Sequence, residues 1–187
     1  NEHTAFFFET DVPNLGKGQA TGKKVENAVV LQDFALTQTI CPSFKVDVGM
    51  LLVPLSHNSQ QSAGSLLAID YGAYSFLSSD TINAKVGRDY GVQARGWLAG
   101  RKLELRAGVY QGNRGTDSRA PFRFAARGVV YPFEADTAMF YTGTTLGKRK
   151  LVAIGGGVDV QKDYAAWSTD AFVDWPVAKG DGVTLQA

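Results

Sequence analysis

A period of two in the apolar and polar residues is the main pattern along the chain. Between residues 44 and 52 every even position is apolar, and Lys45 and Asp47 alternate with them. Between residues 103 and 109 the odd positions are apolar, and Glu104 is among the residues between them. Successive side chains of a β-strand point to opposite faces, whereas a helix repeats its apolar positions every three or four residues. The pattern therefore predicts half-buried β-strands.

Extended to the whole chain, the pattern predicts about nine strands, most of them roughly 9–12 residues long. They are predicted at residues 3–10, 28–40, 44–53, 88–98, 102–111, 121–132, 151–161, 165–175 and 181–187. Strands of globular proteins usually have about 5–6 residues, whereas a tilted strand that crosses a bilayer needs about 9–11. The strand lengths therefore favour a membrane barrel over a soluble sandwich.

The connections between these strands support the same fold. Those at 41–43, 99–100 and 162–163 are short, and those at 11–27, 54–87 and 112–120 are long. Short turns at one end and long loops at the other are typical of outer-membrane barrels. We therefore predict an all-β fold, an antiparallel transmembrane β-barrel.

The chain both starts and ends close to a predicted strand. We therefore expect residues 1–187 to be one domain, a segment of about nine or ten strands of a larger barrel. Aromatic side chains near the strand ends would form the interfacial belts of such a barrel. They are Trp97, Tyr110, Tyr131, Phe133, Trp167 and Trp175.

The longest connection, 54–87, differs from the others. It is long for an unstructured segment and carries its own apolar residues between positions 66 and 77. One interpretation is a constriction loop that folds into the lumen, with Asp70, Tyr71, Tyr74 and Lys85 as its candidate residues. The other is an extra hairpin in which 66–77 forms one more strand.

Composition excludes several other classes of protein. The longest stretch without a charged residue, 48–69, contains Pro54 and His57, so it is not a lipid-facing helix. Cys41 is the only cysteine, so no internal disulfide forms. His3 and His57 lie far apart in the sequence, and we expect no metal, no cofactor and no enzymatic activity. Basic residues that alternate with apolar ones do not form the exposed face that nucleic acid needs, and no nucleic-acid partner is expected.

Charge is concentrated in residues 85–127, which carry a net charge of +7 in a chain of net charge +1. If the apolar faces meet lipid, the alternate polar side chains point into the channel, because a lipid-facing Arg or Lys costs about 2–4 kcal/mol at the midplane. The predicted channel-lining residues are Lys45, Asp47, Gln93, Arg95, Lys102, Glu104, Arg106, Arg123, Arg127, Asp170 and Asp174.

Four of these residues, Arg95, Arg106, Arg123 and Arg127, fall on three successive predicted strands. Neighbouring strands lie about 4.8 Å apart, so the guanidinium groups could form one positive patch that favours anions. In the alternative interpretation, the carboxylates of Glu104, Asp89 and Asp170 pair with these arginines and stiffen the wall.

Several segments together resemble a known family. They are 6–17 (FFFETDVPNLGK), 32–35 (QDFA), 49–56 (GMLLVPLS), 87–96 (GRDYGVQARG), 153–161 (AIGGGVDVQ) and 169–176 (TDAFVDWP). In order and spacing they are similar to the phosphate-selective porin O and P family. The resemblance implies an outer-membrane porin of a Gram-negative bacterium, usually trimeric, that passes small anions. It also implies that the loop after Pro54 folds into the lumen.

Phosphate specificity does not follow from the resemblance. Phosphate-specific members crowd basic residues at the constriction, whereas residues 54–87 hold one basic residue, Lys85, and two acids. The expected function is passive diffusion of small hydrophilic solutes with a weak anion preference. The alternatives are a non-conducting barrel that serves as a scaffold or sleeve for a partner protein, and a soluble β-sandwich binding protein.

Overall fold

A computed structural model describes residues 3–11, 29–62, 65, 87–115, 117–178 and 180–187. These residues form nine strands and one short 3₁₀ turn at Asn58–Gln60. The strands are β1 (Thr4–Asp11), β2 (Val30–Cys41), β3 (Phe44–Leu52), β4 (Arg88–Leu98), β5 (Leu103–Tyr110), β6 (Arg123–Val130), β7 (Leu151–Gln161), β8 (Tyr164–Ala178) and β9 (Asp181–Gln186).

All nine strands belong to one antiparallel sheet, in which each strand pairs with the next one along the chain. The prediction of an all-β antiparallel fold is confirmed, and the predicted strands agree with the observed ones to within a few residues. In the described part of the chain β1 and β9 form the two edges, so the sheet is open. An open, consecutively paired sheet fits the predicted arc of a larger barrel.

One face of the sheet is apolar and exposed. A row of side chains in register crosses β2 to β7 and comprises Leu36, Val48, Val92, Val109, Phe124 and Val160. Their exposed fractions lie between 39% and 50%. We call this the outer face. Large apolar side chains left open over so many strands are unusual for a surface in water and normal for one that meets lipid.

The opposite, inner face carries the charged residues and is covered. Asp47, Glu104, Arg106 and Arg123 are each at most 1% exposed. Trp97, Tyr110 and Tyr131 are also buried on this side, so the prediction that they belong to interfacial belts is wrong. Trp97 and Tyr110 lie at inward positions of their strands, and Tyr131 directly after β6 continues its inward positions; this overrides their closeness to a strand end. Trp167, which is 78% exposed, does lie on the outer face.

The lengths of the connections depart from the predicted alternation. Consecutive antiparallel strands place the β2–β3, β4–β5, β6–β7 and β8–β9 connections at one end of the sheet. Three of these are short, but the β6–β7 connection, residues 131–150, has 20 residues. The two-residue β7–β8 turn lies at the opposite end, among the long connections. The prediction of short turns at one end only is therefore wrong at β7.

Two long connections cover the inner face. They start at opposite ends of the sheet and meet over the inner face. We call residues 53–62 the first inward loop and residues 131–150 the second inward loop. The backbone nitrogen of Tyr141 donates to the Gln60 carbonyl at 2.8 Å, and that of Ser62 donates to the Tyr141 carbonyl at 3.3 Å. These two bonds join the loops as a short parallel bridge between Gln61 and Tyr141.

Candidate functional site

A row of cations crosses the inner face. Lys45, Arg95, Arg106 and Arg127 lie directly opposite one another on β3, β4, β5 and β6. The row continues onto β7 at Gly157 and onto β8 at Ser168. We call it the basic row. It arises because each of these strands places a polar residue at the same register position, as the period of two predicts.

Each guanidinium of the basic row is held by a carboxylate. Arg95 Nη2 donates to Asp47 Oδ1 at 2.9 Å, and Arg106 Nε donates to Glu104 Oε1 at 2.7 Å. Arg127 donates to both carboxylate oxygens of Asp170 at 2.6 Å. Arg95 and Arg127 each contact both oxygens of their carboxylate, and two-point contacts of this kind are short and directional. The row is therefore a set of ion pairs in which the positive charge is largely offset.

Arg123 lies four residues from Arg127 on β6, two rows away on the inner face, and is shared by two carboxylates. Its Nε donates to Asp159 Oδ1 at 2.8 Å, and its Nη1 donates to Asp89 Oδ2 at 3.3 Å. Of the two interpretations of the arginines, the structure shows the ion pairs of the second one. Glu104, Asp89 and Asp170 all pair with the arginines of the predicted patch.

The arginines also hold the second inward loop against the wall. Arg106 donates to the Met139 carbonyl at 2.8 Å and to the Ala138 carbonyl at 3.0 Å, and Arg95 reaches the Ala138 carbonyl at 3.3 Å. Arg106 also donates to Gln60 Oε1 at 2.8 Å. One buried side chain therefore contacts both inward loops.

Tyr141 lies at the centre of this arrangement. Its ring is 4.2 Å from the Arg106 guanidinium, and its hydroxyl donates to Glu104 Oε2 at 3.1 Å. Tyr131 donates to the same oxygen at 2.8 Å. Burial raises the pKa of the Tyr141 hydroxyl to about 12, so it stays protonated as a donor at neutral pH.

His57 marks the place where the two inward loops meet. Its ring lies between those of Tyr141 and Phe172, with ring centres 4.9 Å and 4.2 Å away. Burial, with a smaller contribution from the Arg127 guanidinium, lowers the pKa of His57 to about 4. The imidazole is therefore uncharged at neutral pH, as its stacked apolar surroundings require.

The predicted channel-lining residues divide by position. Ten of them lie on the inner face: Lys45, Asp47, Gln93, Arg95, Glu104, Arg106, Arg123, Arg127, Asp170 and Asp174. Lys102 lies in the β4–β5 turn instead, where its Nζ donates to the Pro132 and Phe133 carbonyls. Six of the ten contact the inward loops, namely Arg95, Glu104, Arg106, Arg127, Asp170 and Asp174.

The predicted constriction loop is described only in part. Residues 54–62 lie on the inner face, whereas Asp70, Tyr71, Tyr74 and Lys85 lie outside the described residues. In the part of the chain that the structure describes, no group of three His, Cys, Asp or Glu side chains is placed to hold a metal ion. No helix among the described residues is long and apolar enough to cross a membrane.

Sequence reasoning missed the second inward loop. Residues 131–150 show no period of two, and part of their contact with the wall is made by the Ala138 and Met139 backbone carbonyls, which no residue type in the sequence indicates. The only available signal was their length, about twenty residues between two clear strands.

Comparison with known proteins identifies the family. The family described as phosphate-selective porin O and P matches residues 1–166 of the chain. No curated protein and no solved structure matches it. The matched region contains the basic row up to Gly157 and both inward loops. The chain belongs to the phosphate-selective porin O and P family.

Proposed function

We propose that this chain forms part of the wall and the constriction of a water-filled outer-membrane channel for small hydrophilic solutes. Membership of a porin family indicates a channel rather than an enzyme, located in the outer membrane of a Gram-negative bacterium. The observation that carries the proposal is the contrast between the two faces of one sheet. The outer face exposes aliphatic and aromatic side chains, and the inner face holds ion pairs and two loops.

The two inward loops would narrow the channel. They enter from opposite ends of the sheet and are joined at Tyr141, above the middle of the wall. A constriction held by many hydrogen bonds restricts solutes by size without any chemical step. Solutes would move down their gradients, and no cofactor is needed.

We propose a weak anion preference rather than a phosphate site. The four arginines of the predicted patch are offset by carboxylates, so their summed field on a passing ion is small. In the described residues, Lys45 and Lys102 form no ion pair with a carboxylate. Lys45 lies near the Trp97 ring, and Lys102 binds carbonyl oxygens. These two ammonium groups are the proposed source of the preference.

Conductance of the full-length protein in planar bilayers tests the proposal. We expect open channels whose reversal potential in a potassium chloride gradient shifts towards chloride. Substituting Lys45→Gln and Lys102→Gln together should remove most of the shift, because the two ammonium groups proposed as its source are lost. The matched control is Lys162→Gln, which removes an exposed lysine in the β7–β8 turn.

Other outcomes would favour the alternatives. A protein that folds in membranes without conducting, and that co-purifies with a partner, would support the scaffold or sleeve. A protein that stays monodisperse in water without detergent would support the soluble sandwich. A homotrimer, expected for this family, would be seen as a mass about three times that of the monomer in detergent.

A further inference from the structure

We infer that the first inward loop is fixed in the channel by a latch on one backbone carbonyl, that of Leu55. The inference rests on the proposed channel function and assigns positioning roles to Arg127, Ser168 and Gly157. The latch joins Leu55 to residues of β6, β7 and β8 that follow it in the chain by 72 residues or more.

Two side chains donate to the Leu55 carbonyl oxygen. Arg127 Nη1 lies 3.0 Å from it, and Ser168 Oγ lies 2.6 Å from it. A carbonyl oxygen has two lone pairs, so both donors can be accepted at once. Leu55 is only 2% exposed, and a buried carbonyl without partners would be costly. The two bonds therefore hold this point of the loop against the wall.

Gly157 supplies the space in which the carbonyl lies. It stands between Arg127 and Ser168 in the basic row, directly opposite both. A Cβ atom built on Gly157 would overlap the backbone of Leu55, including its carbonyl oxygen. Any other residue would force the loop away from the sheet, so the loop can reach its donors only over glycine.

Gly155 likewise supplies the space in which the Arg127 guanidinium lies. A Cβ atom there would overlap the end of the Arg127 side chain, which lies across this position. The run of three glycines at 155–157, which fits no nucleotide-binding pattern, thus has a physical explanation. Two of its members face inward and leave room for the donor and the acceptor of one hydrogen bond.

Asp170 orients the latch from behind. Its two oxygens accept from Arg127 Nη1 and Nη2 at 2.6 Å, which fixes the plane of the guanidinium. The same carboxylate accepts the backbone N–H of His57 at 3.2 Å. Residues 55 and 57 of the loop are therefore held at two points by one ion pair. Arg127 acts here as a positioning residue for the loop.

Substitution of Gly157 tests the latch. In the full-length protein Gly157→Val should raise the mean single-channel conductance about twofold and increase the current noise, because conductance follows the open cross-section of a pore. The control is Gly128→Ala on β6, where an added Cβ meets only Leu105 Cδ2 at an ordinary 3.5 Å. This control should conduct like the wild type.

Ser168 provides a second test that does not depend on filling space. Ser168→Ala removes one donor and should raise conductance and noise in the same direction. Ser168→Thr keeps the hydroxyl and should restore wild-type values, an effect that a general loss of stability would not produce. If Gly157→Val fails to insert into membranes, the Ser168→Ala and Ser168→Thr variants alone test the latch.

The outcomes separate the latch from the channel. If the wild type conducts and both Ser168→Ala and an inserted Gly157→Val match it, or conduct less, the latch is wrong and the channel stands. If Ser168→Thr does not restore the conductance and noise that Ser168→Ala changes, the Ser168 hydroxyl does not hold the loop and the latch is also wrong. A folded wild type that never conducts overturns the channel, and the latch with it.

Discussion

Arg106→Met is expected to lower the free energy of unfolding by about 3–5 kcal/mol, the range seen when one partner of a buried ion pair is removed. Arg106 is 1% exposed, and its partner Glu104 is fully buried. Methionine fills similar space but, among the described residues, leaves the Glu104 carboxylate with only two tyrosine hydroxyls as donors. The loss should appear in urea titrations of the protein in lipid vesicles, followed by tryptophan fluorescence.

The same substitution should also loosen both inward loops. Arg106 binds Gln60 of the first loop and the carbonyls of Ala138 and Met139 of the second. The control is Arg119→Met, because the Arg119–Asp117 pair is exposed on both sides and such pairs contribute about 0–1 kcal/mol. Equal stability of the two variants would contradict a buried, paired inner face.

Much of this sheet could be predicted from the sequence, because apolar and polar residues alternate along a strand whose two faces have different surroundings. The alternation alone predicts Lys45, Arg95 and Arg127 on the inner face, and the structure places them there. Strand existence follows from the same local signal. Strand ends are less certain because turn residues such as Lys102 continue the pattern without joining the ladder.

The partners of the arginines could be predicted only in part. Arg106 and Glu104 lie two residues apart on one strand, so their pairing is visible in the sequence. Arg127 and Asp170 lie on strands that do not pair with each other, and β7 between them has glycine at the crossing. Arg127 and Asp170 can meet because β7 has no side chain between them. A local pattern in the sequence does not show that the two residues come together in this way.

The inward loops are the least predictable part. The first was expected from its length, but its route over Gly157 follows from the absence of a side chain on another strand. The closeness of Trp97 and Tyr110 to strand ends predicts that both lie at the lipid interface. Their packing against the covered inner face shows that the period of two outweighs distance from the strand end.

Val92→Arg is expected to destabilise the folded protein by about 2–4 kcal/mol, the cost of a lipid-facing arginine near the bilayer midplane. Val92 lies near the middle of β4, on the outer face, and is 50% exposed. An arginine at residue 92 has no carboxylate partner in its row of side chains on the outer face, because the members of that row are all apolar. Urea titration in vesicles measures the difference from the wild type.

Depth in the membrane provides the matched control. Leu98 has a similar exposure, 53%, but ends β4 beside the turn, so Leu98→Arg should cost only about 0–1 kcal/mol. If the outer face met water, both substitutions would be nearly neutral. A small and equal effect at the two positions would therefore argue for a soluble fold.

The accessibility of nitroxide spin labels along β4 tests directly whether the outer face meets lipid. In a Cys41→Ser background, single labels at residues 90 to 94 would be compared for collision with oxygen, which concentrates in lipid, and with a water-soluble nickel complex. We predict high oxygen and low nickel accessibility at Tyr90, Val92 and Ala94, and the loss of that oxygen signal at the positions between them. High nickel accessibility at Tyr90, Val92 and Ala94 would contradict this prediction, because the apolar face would then meet water.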